Sequence, residues 1–258
     1  MESKKYFNCA YGGSLDVNGE VVMDAAIMTN DLRVGCVGAV RNIAHPITLA
    51  KMVLQQTEHV LIVEAGAQKF SMESGIPTLS PGQLIVMSDS KTSLHEEGNN
   101  VAYDRKKRLA SGTSTAGEPG KLHGIVSATG TAIGCGIYAN KWGCVSVSGC
   151  DKTIYKYAPA QKILRRLRRK AMSIDEVVAD VLKDLEKKTE GSFPSESDIG
   201  VIALTDKGIP SVSFKCAHFP WAYCVKGYVY YGCARNEIFS EKIDVVERPL
   251  DCMCEDSN

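Results

Sequence analysis

Hydroxyls, thiols and one basic run are the side chains of this sequence with chemistry to offer, and their spacing decides what each can do. Hydroxyls crowd the segment Leu109-Ala-Ser-Gly-Thr-Ser-Thr-Ala-Gly117, which reads as a strand running into a Gly/Pro loop. At such a strand end Thr113 and Thr115 have two equal readings: lining a site, or bonding their hydroxyls to the backbone of a turn. Ten cysteines stand at Cys9, Cys36, Cys135, Cys144, Cys150, Cys216, Cys224, Cys233, Cys252 and Cys254. No Cys-x-x-Cys occurs, and the nearest pair, Cys252 and Cys254, falls in a polar tail. Zinc ligands come as closely spaced pairs with histidine partners, and the five histidines supply none nearby. Runs such as Gly134-Cys135-Gly136 and Tyr223-Cys224-Val225 instead suit small buried thiols, reduced and structural. With no G-x-G-x-x-G turn behind a strand and no Walker loop, neither a metal nor a cofactor is expected. The basic run Lys162-Ile-Leu-Arg-Arg-Leu-Arg-Arg-Lys170 lacks the interleaved aromatics of a nucleic-acid surface and reads as a solvated helix face. His218, beside Phe219-Pro-Trp221, reads as packed or surface-tipped.

The elements that must position these residues follow from periodicity. Residues 19–28 and 32–40 read as strands, and Pro46 opens a helix with Ile47, Ala50 and Leu54 on one face. A short strand at 60–63 precedes a helix at 65–74 that Gly75 stops. Residues 77–100 dissolve into Ser, Pro, Gly and charge, a loop signal. Strands are expected at 133–140 and 144–148, then a helix at 158–170. Ser173-Ile-Asp-Glu176 forms a capping box ahead of a helix with Val177, Val181 and Leu185 as its stripe and Gly191 as its stop. Strands close the chain at 199–205, 210–216, 221–225 and 228–232, with a flexible tail at 249–258. Two sheets with helices outside them, a layered α+β domain over residues 1–258, is the architecture this order implies. The 258 residues carry 30 Lys+Arg against 30 Asp+Glu, and the net charge of zero argues against an electrostatically driven nucleic-acid binder while leaving room for a local basic patch. No apolar run nears the ~20 residues of a membrane span. The start has no apolar signal segment and no Asn-x-Ser/Thr sequon occurs, so a cytoplasmic location is expected.

Four segments, in order, resemble one family. They are Tyr11-Gly-Gly-Ser-Leu-Asp-Val-Asn-Gly-Glu-Val-Val-Met-Asp-Ala-Ala-Ile-Met28; Val34-Gly-Cys-Val-Gly-Ala-Val-Arg-Asn-Ile-Ala-His-Pro-Ile-Thr-Leu-Ala50 with Thr57-Glu-His-Val-Leu-Ile-Val63; Leu109–Gly117 with Gly134-Cys-Gly-Ile-Tyr-Ala-Asn140 and Val145-Ser-Val-Ser-Gly149; and Gly200-Val-Ile-Ala-Leu204 leading to Phe219-Pro-Trp-Ala-Tyr223 and Gly227-Tyr-Val-Tyr-Tyr-Gly232. The chain is similar over most of residues 7–232 to the N-terminal-nucleophile (Ntn) amidohydrolases that include glycosylasparaginase and the plant-type isoaspartyl peptidase/L-asparaginases. The resemblance implies a four-layer αββα sandwich, the Ntn hydrolase fold. It also implies a chain that cuts itself before a Thr, whose freed amine then serves as base for its own hydroxyl. The substrate would be an Asn or β-aspartyl amide, with an oxyanion held by backbone and hydroxyl donors and an Arg and an Asp clamping its α-groups.

This sequence departs from that pattern at the chemistry. Matching Val101-Ala-Tyr-Asp104 to the strand behind the processing site puts His95-Glu96-Glu97 on the family's His-Asp-Thr, with Glu97 at the nucleophile position. A carboxylate cannot drive the N→O acyl shift of self-cleavage. Thr92 and Ser93 carry hydroxyls but stand five and four positions too early, and using them would need a strand register shift, of which the odd ones turn side chains to the other face. Where relatives carry Gly-Arg-Val-Gly-Asp, this chain has Gly124-Ile-Val-Ser-Ala-Thr129, so Ile125 and Thr129 occupy degenerate clamp positions. An apolar Ile cannot pair a carboxylate. Ser148-Gly149 keeps the hydroxyl and N–H of the oxyanion pair, and Thr113 and Thr115 match the family's Thr-Ser-Thr. Met1 stands six residues before Phe7-Asn8, so the family's first strand and helix are expected to be missing, which leaves a sheet edge. The expectation is a homologue that neither processes itself nor hydrolyses β-aspartyl amides well. An active enzyme with a displaced Thr or Ser is the alternative. The partners expected are a small Asn or β-aspartyl ligand and either a second copy or a paralogous subunit, with no nucleic acid and no membrane.

Overall fold

A two-residue alternation organises the first strands. In β1 (Val22–Thr29), Met23, Ala25 and Ile27 face one side and Asp24, Ala26 and Met28 the other. β2 (Val34–Arg41) pairs antiparallel with it, but Met23 faces Val40 while Ala25 faces Val37, so Gly38 and Ala39 together oppose Asp24 in a β-bulge. The turn between them puts Leu32 at φ +69°, outside the strand predicted from residue 32. Helix α1 (Pro46–Gln56) opens on Pro46, whose missing N–H costs nothing in a first turn. It lies so close to β2 that a Cβ on Gly35 would stand 2.1 Å from the Ala50 carbonyl oxygen, so only glycine fits there. β3 (Leu61–Val63) runs parallel to β2, and α2 (Glu64–Glu73) follows it directly.

The computed structural model describes residues 1–86, 98–169, 172–189 and 198–243. The part of the predicted loop at residues 87–97 and the tail at 249–258 lie outside them. The loop's last three residues are strand, because β4 (Gly98–Tyr103) starts there and pairs antiparallel with β5 (Leu109–Thr115). The first sheet is thus ordered β3-β2-β1-β5-β4. The one-turn helix α3 (Ala128–Thr131) shortens the strand predicted at 133–140 to β6 (Ile137–Asn140), which pairs with β7 (Gly143–Gly149). Helix α4 (Asp151–Tyr157), which the sequence did not announce, ends on Ala158 at φ +45°, and Pro159 starts α5 (Pro159–Arg169), the helix expected at 158–170. The capping box of α6 (Ile174–Thr189) forms: the Ser173 N–H donates to Glu176 Oε2 at 2.8 Å and the Glu176 N–H to Ser173 Oγ at 3.2 Å. β8 (Ile199–Thr205) and β9 (Pro210–Phe214) complete a second sheet ordered β6-β7-β8-β9, antiparallel throughout.

Three apolar clusters hold these elements. Leu49, Ala50, Val53 and Ala67 pack on Met23, Ala25, Val37 and Val40, joining α1 and α2 to the first sheet. Ile154, Ile163, Leu164, Val177, Val181 and Leu185 pack on Val145, Val147 and Val201, joining α4 to α6 to the second. Ala26, Met28, Cys36 and Leu109 meet Ile137, Ala139 and Cys144, joining sheet to sheet. The chain divides into two compact units, Met1–Cys216 and Ala217–Asn258. The second holds an antiparallel sheet of β10 (His218–Val225), β11 (Tyr228–Ala234) and β12 (Phe239–Lys242), with Tyr223 stacked on Trp221 and Tyr230. No helix among the described residues is long and apolar enough to cross a membrane.

Burial pushes the Cys36 and Cys144 thiols up to about 12, and the thiolate is the reactive form. Alkylation of the native protein at pH 8 is therefore expected to spare both while reaching the exposed Cys224, with both becoming reactive in urea; mass mapping of alkylated peptides reads this.

Candidate functional site

Strand alternation gathers the hydroxyls. Ser111, Thr113 and Thr115 are buried on one face of β5, and Ser111 Oγ donates to the Val145 carbonyl of β7 at 2.7 Å, so this face looks at the second sheet. Opposite Thr113 in register is Asn99 of β4, whose Oδ1 accepts from Ser146 Oγ of β7 at 3.0 Å. Ser148, two residues on, shares the face of Ser146 and is half-buried. The structure thus brings Thr113, Thr115, Asn99 and Ser148 to the gap between the sheets. The Thr113 Oγ1 is buried with no hydrogen-bond partner among the described residues. Thr115 Oγ1 accepts the Gly117 N–H at 2.9 Å, the strand-end turn weighed from the sequence. Gly149 ends β7 at φ +139°, where a Cβ would stand 2.3 Å from the Asp198 carbonyl oxygen. Glu97, with His95, Glu96, Thr92 and Ser93, lies outside the described residues.

The clamp positions part company. Ile125 is 47% exposed and lines a cavity of about 700 Å³ with Lys121, Ser127, Asp151, Lys152 and Tyr155. Thr129 is fully buried inside α3, with its Oγ1 unpartnered among the described residues. Behind this cavity is a polar network that no motif signalled. The bulge frees the Ala39 N–H from the strand ladder, and Asp24 Oδ1 accepts it at 2.8 Å. Asp24 Oδ2 accepts the Ser127 N–H at 2.7 Å and stands 3.8 Å from Lys121 Nζ, which also donates to the Val22 carbonyl at 2.9 Å. Asp151 Oδ1 accepts from the Ala128 N–H at 2.9 Å and from Ser127 Oγ at 3.3 Å. A lone acid inside the apolar run Val21-Val-Met-Asp-Ala-Ala-Ile27 was the one available signal, since a buried carboxylate requires partners. The described residues hold no cluster of three or more His, Cys, Asp or Glu able to bind a metal.

Burial pushes the Asp24 and Asp151 carboxyls above the ordinary 3.8; Lys121 and two N–H donors oppose this at Asp24, and the Ala128 N–H and Ser127 hydroxyl oppose it at Asp151. A raised native pKa means the folded chain holds the proton more tightly than the unfolded one. That contribution to stability is full below pH 3.8 and is lost as pH rises through the native value. The Tm of the wild type minus that of Asp151→Asn, measured by calorimetry, is expected to shrink as pH is raised from below 3.8 toward neutrality; a constant difference would contradict it. Asp24→Asn leaves the buried Lys121 unpaired and is expected to lose about 3–5 kcal/mol in urea unfolding.

The comparisons with known proteins agree with the resemblance. A family model described as asparaginase matches residues 1–100 and 99–231. The isoaspartyl peptidase/L-asparaginase of Bos taurus is 34% identical over 251 residues, covering 90% of this chain and 79% of the relative. That of Danio rerio is 29% identical over 95% of this chain and 82% of its own, and a probable isoaspartyl peptidase/L-asparaginase of Drosophila melanogaster is 27% identical over 93% and 80%. With both the family model and a relative above 30% spanning most of its length, the chain belongs to the asparaginase family of amidohydrolases.

Proposed function

We propose that this chain is a family member that does not cut itself and hydrolyses Asn or β-aspartyl amides weakly or not at all. The reading is carried by Glu97, which stands immediately before β4, where the family's pattern has its Thr. A carboxylate can neither accept the acyl group of its own preceding peptide bond by N→O shift nor act as the hydroxyl nucleophile. The exposed Ile125 supports the same reading, because an apolar side chain at the cavity wall offers nothing to an α-carboxylate. What remains of the machinery is Ser148 with Gly149, and Thr113 with Thr115, around the gap where an amide would sit.

The fold we assign is the αββα sandwich, supported by the three clusters that join helices to sheet, sheet to sheet, and sheet to helices. We place the protein in the cytoplasm, on the strength of eight described cysteines that are all free. As partners we assign a second copy or an active paralogue, and a small Asn or β-aspartyl ligand. Denaturing electrophoresis of freshly purified protein is expected to show one band near 27.9 kDa, with ammonia release from L-asparagine at background. Two fragments split near residue 96, or ammonia release abolished by Thr92→Ala or Thr115→Ala, would overturn the reading in favour of a displaced nucleophile.

A further inference from the structure

Helix α5 carries cations at Arg165, Arg168 and Arg169, spaced i, i+3 and i+4 and so on one helical face. They line a cleft of about 490 Å³ with Tyr138, Asn140, Lys141 and Trp142 from the β6–β7 hairpin. The aromatic partner that the basic run lacks in sequence is therefore supplied in space. Arg166, pointing elsewhere on the same helix, is held by Asp180 and Asp184. Lys141, Arg165, Arg168 and Arg169 make no ion pair among the described residues, so their donors face the cleft uncommitted to an acid. The one acid of the cleft, Asp31, is already engaged by the Thr29 hydroxyl and Arg33. Trp142 is 37% exposed, its turn fixed by its own N–H donating to Asn140 Oδ1 at 2.8 Å. The Lys141 ammonium lies over the Trp142 ring, 5.4 Å from its centroid, as a cation–π contact.

An indole next to a rank of guanidinium groups suits a flat aromatic ring joined to an anion, and the volume falls within the roughly 300–1,000 Å³ of small-molecule sites. We propose that this cleft binds a nucleoside phosphate, its base on Trp142 and its phosphates on Arg165, Arg168 and Arg169. A single exposed ring beside a bounded cleft, on a chain of zero net charge, favours a mononucleotide over a nucleic-acid strand, which needs a charged track and several rings.

Titration of the full chain with ADP in a calorimeter tests this. Saturable binding with Kd below about 1 mM is expected. Trp142→Ala should weaken it about tenfold or more, as loss of base stacking does, and the double change Arg165→Glu/Arg168→Glu should abolish it. All three side chains are exposed, so both variants should keep the wild-type Tm, which is measured alongside. Absence of ADP binding overturns the proposal. So does inorganic phosphate binding as tightly as ADP with Trp142→Ala neutral, which would leave an anion patch only. A short single-stranded RNA binding a hundredfold tighter than ADP, with a steep loss in salt, would also overturn it in favour of a nucleic-acid surface.

Discussion

The carboxylate of Asp24 is the point on which the site's frame hangs. β2 carries one residue more than β1 across the bulge, so the ladder leaves the Ala39 N–H, on a residue at φ +53°, without a backbone acceptor. An unpaired buried N–H costs about as much as a lost hydrogen bond. Asp24 removes that cost and then spends its second oxygen on the Ser127 N–H, 103 residues away in the chain. Lys121 balances the charge from the same distant segment. One side chain thereby ties β1 and β2 to the polypeptide between β5 and β6. That polypeptide has little regular structure of its own, only the four residues of α3.

From this tie the rest of the site follows. Ser127, fixed by its N–H, caps α3 through its hydroxyl and touches Asp151 at the start of α4, so the second sheet's helices are registered against the first sheet's bulge. Thr115 sits opposite Asp24 in the β1–β5 register, which places the hydroxyl face of β5 at a set height in the gap. Ser111 and Ser146 then bridge the sheets with one hydrogen bond each, to Val145 and Asn99. Polar bridges in an otherwise apolar seam are directional, so they fix the offset of two sheets that Ala26, Met28, Ile137 and Cys144 alone would let slide.

What was legible in the sequence is what local physics sets. The capping box at Ser173 and Glu176, Pro46 at a helix start and the apolar stripe of α6 each rest on residues within one or two turns, and each stands where the sequence puts it. Thr115 was readable only as a pair of alternatives, and the structure has it both bonded to the Gly117 N–H and on the strand face that looks into the gap. The family was legible because four segments keep their order. The Asp24–Lys121 pair was not, since nothing local says which acid meets which base across 97 residues of chain. Helices α3 and α4 escaped for a related reason: Ser127 and Asp151 hold their ends from outside, and neither segment has an apolar stripe long enough to announce itself. Trp142 was hidden from the basic run for the same cause, because a hairpin turn and a helix meet only in space.

The groups that hold the frame are not those that a hydroxyl nucleophile needs. Asp24, Lys121, Ser127 and Asp151 satisfy backbone donors and each other, and none of these bonds involves Thr113 or Ser148. Stability is lost mainly where a buried group loses its partner or a cavity opens. An apolar residue at the exposed position 125 likewise opens no cavity. The bonds that hold this frame are therefore separate from the hydroxyls in the gap, so the architecture does not depend on which chemistry those hydroxyls perform.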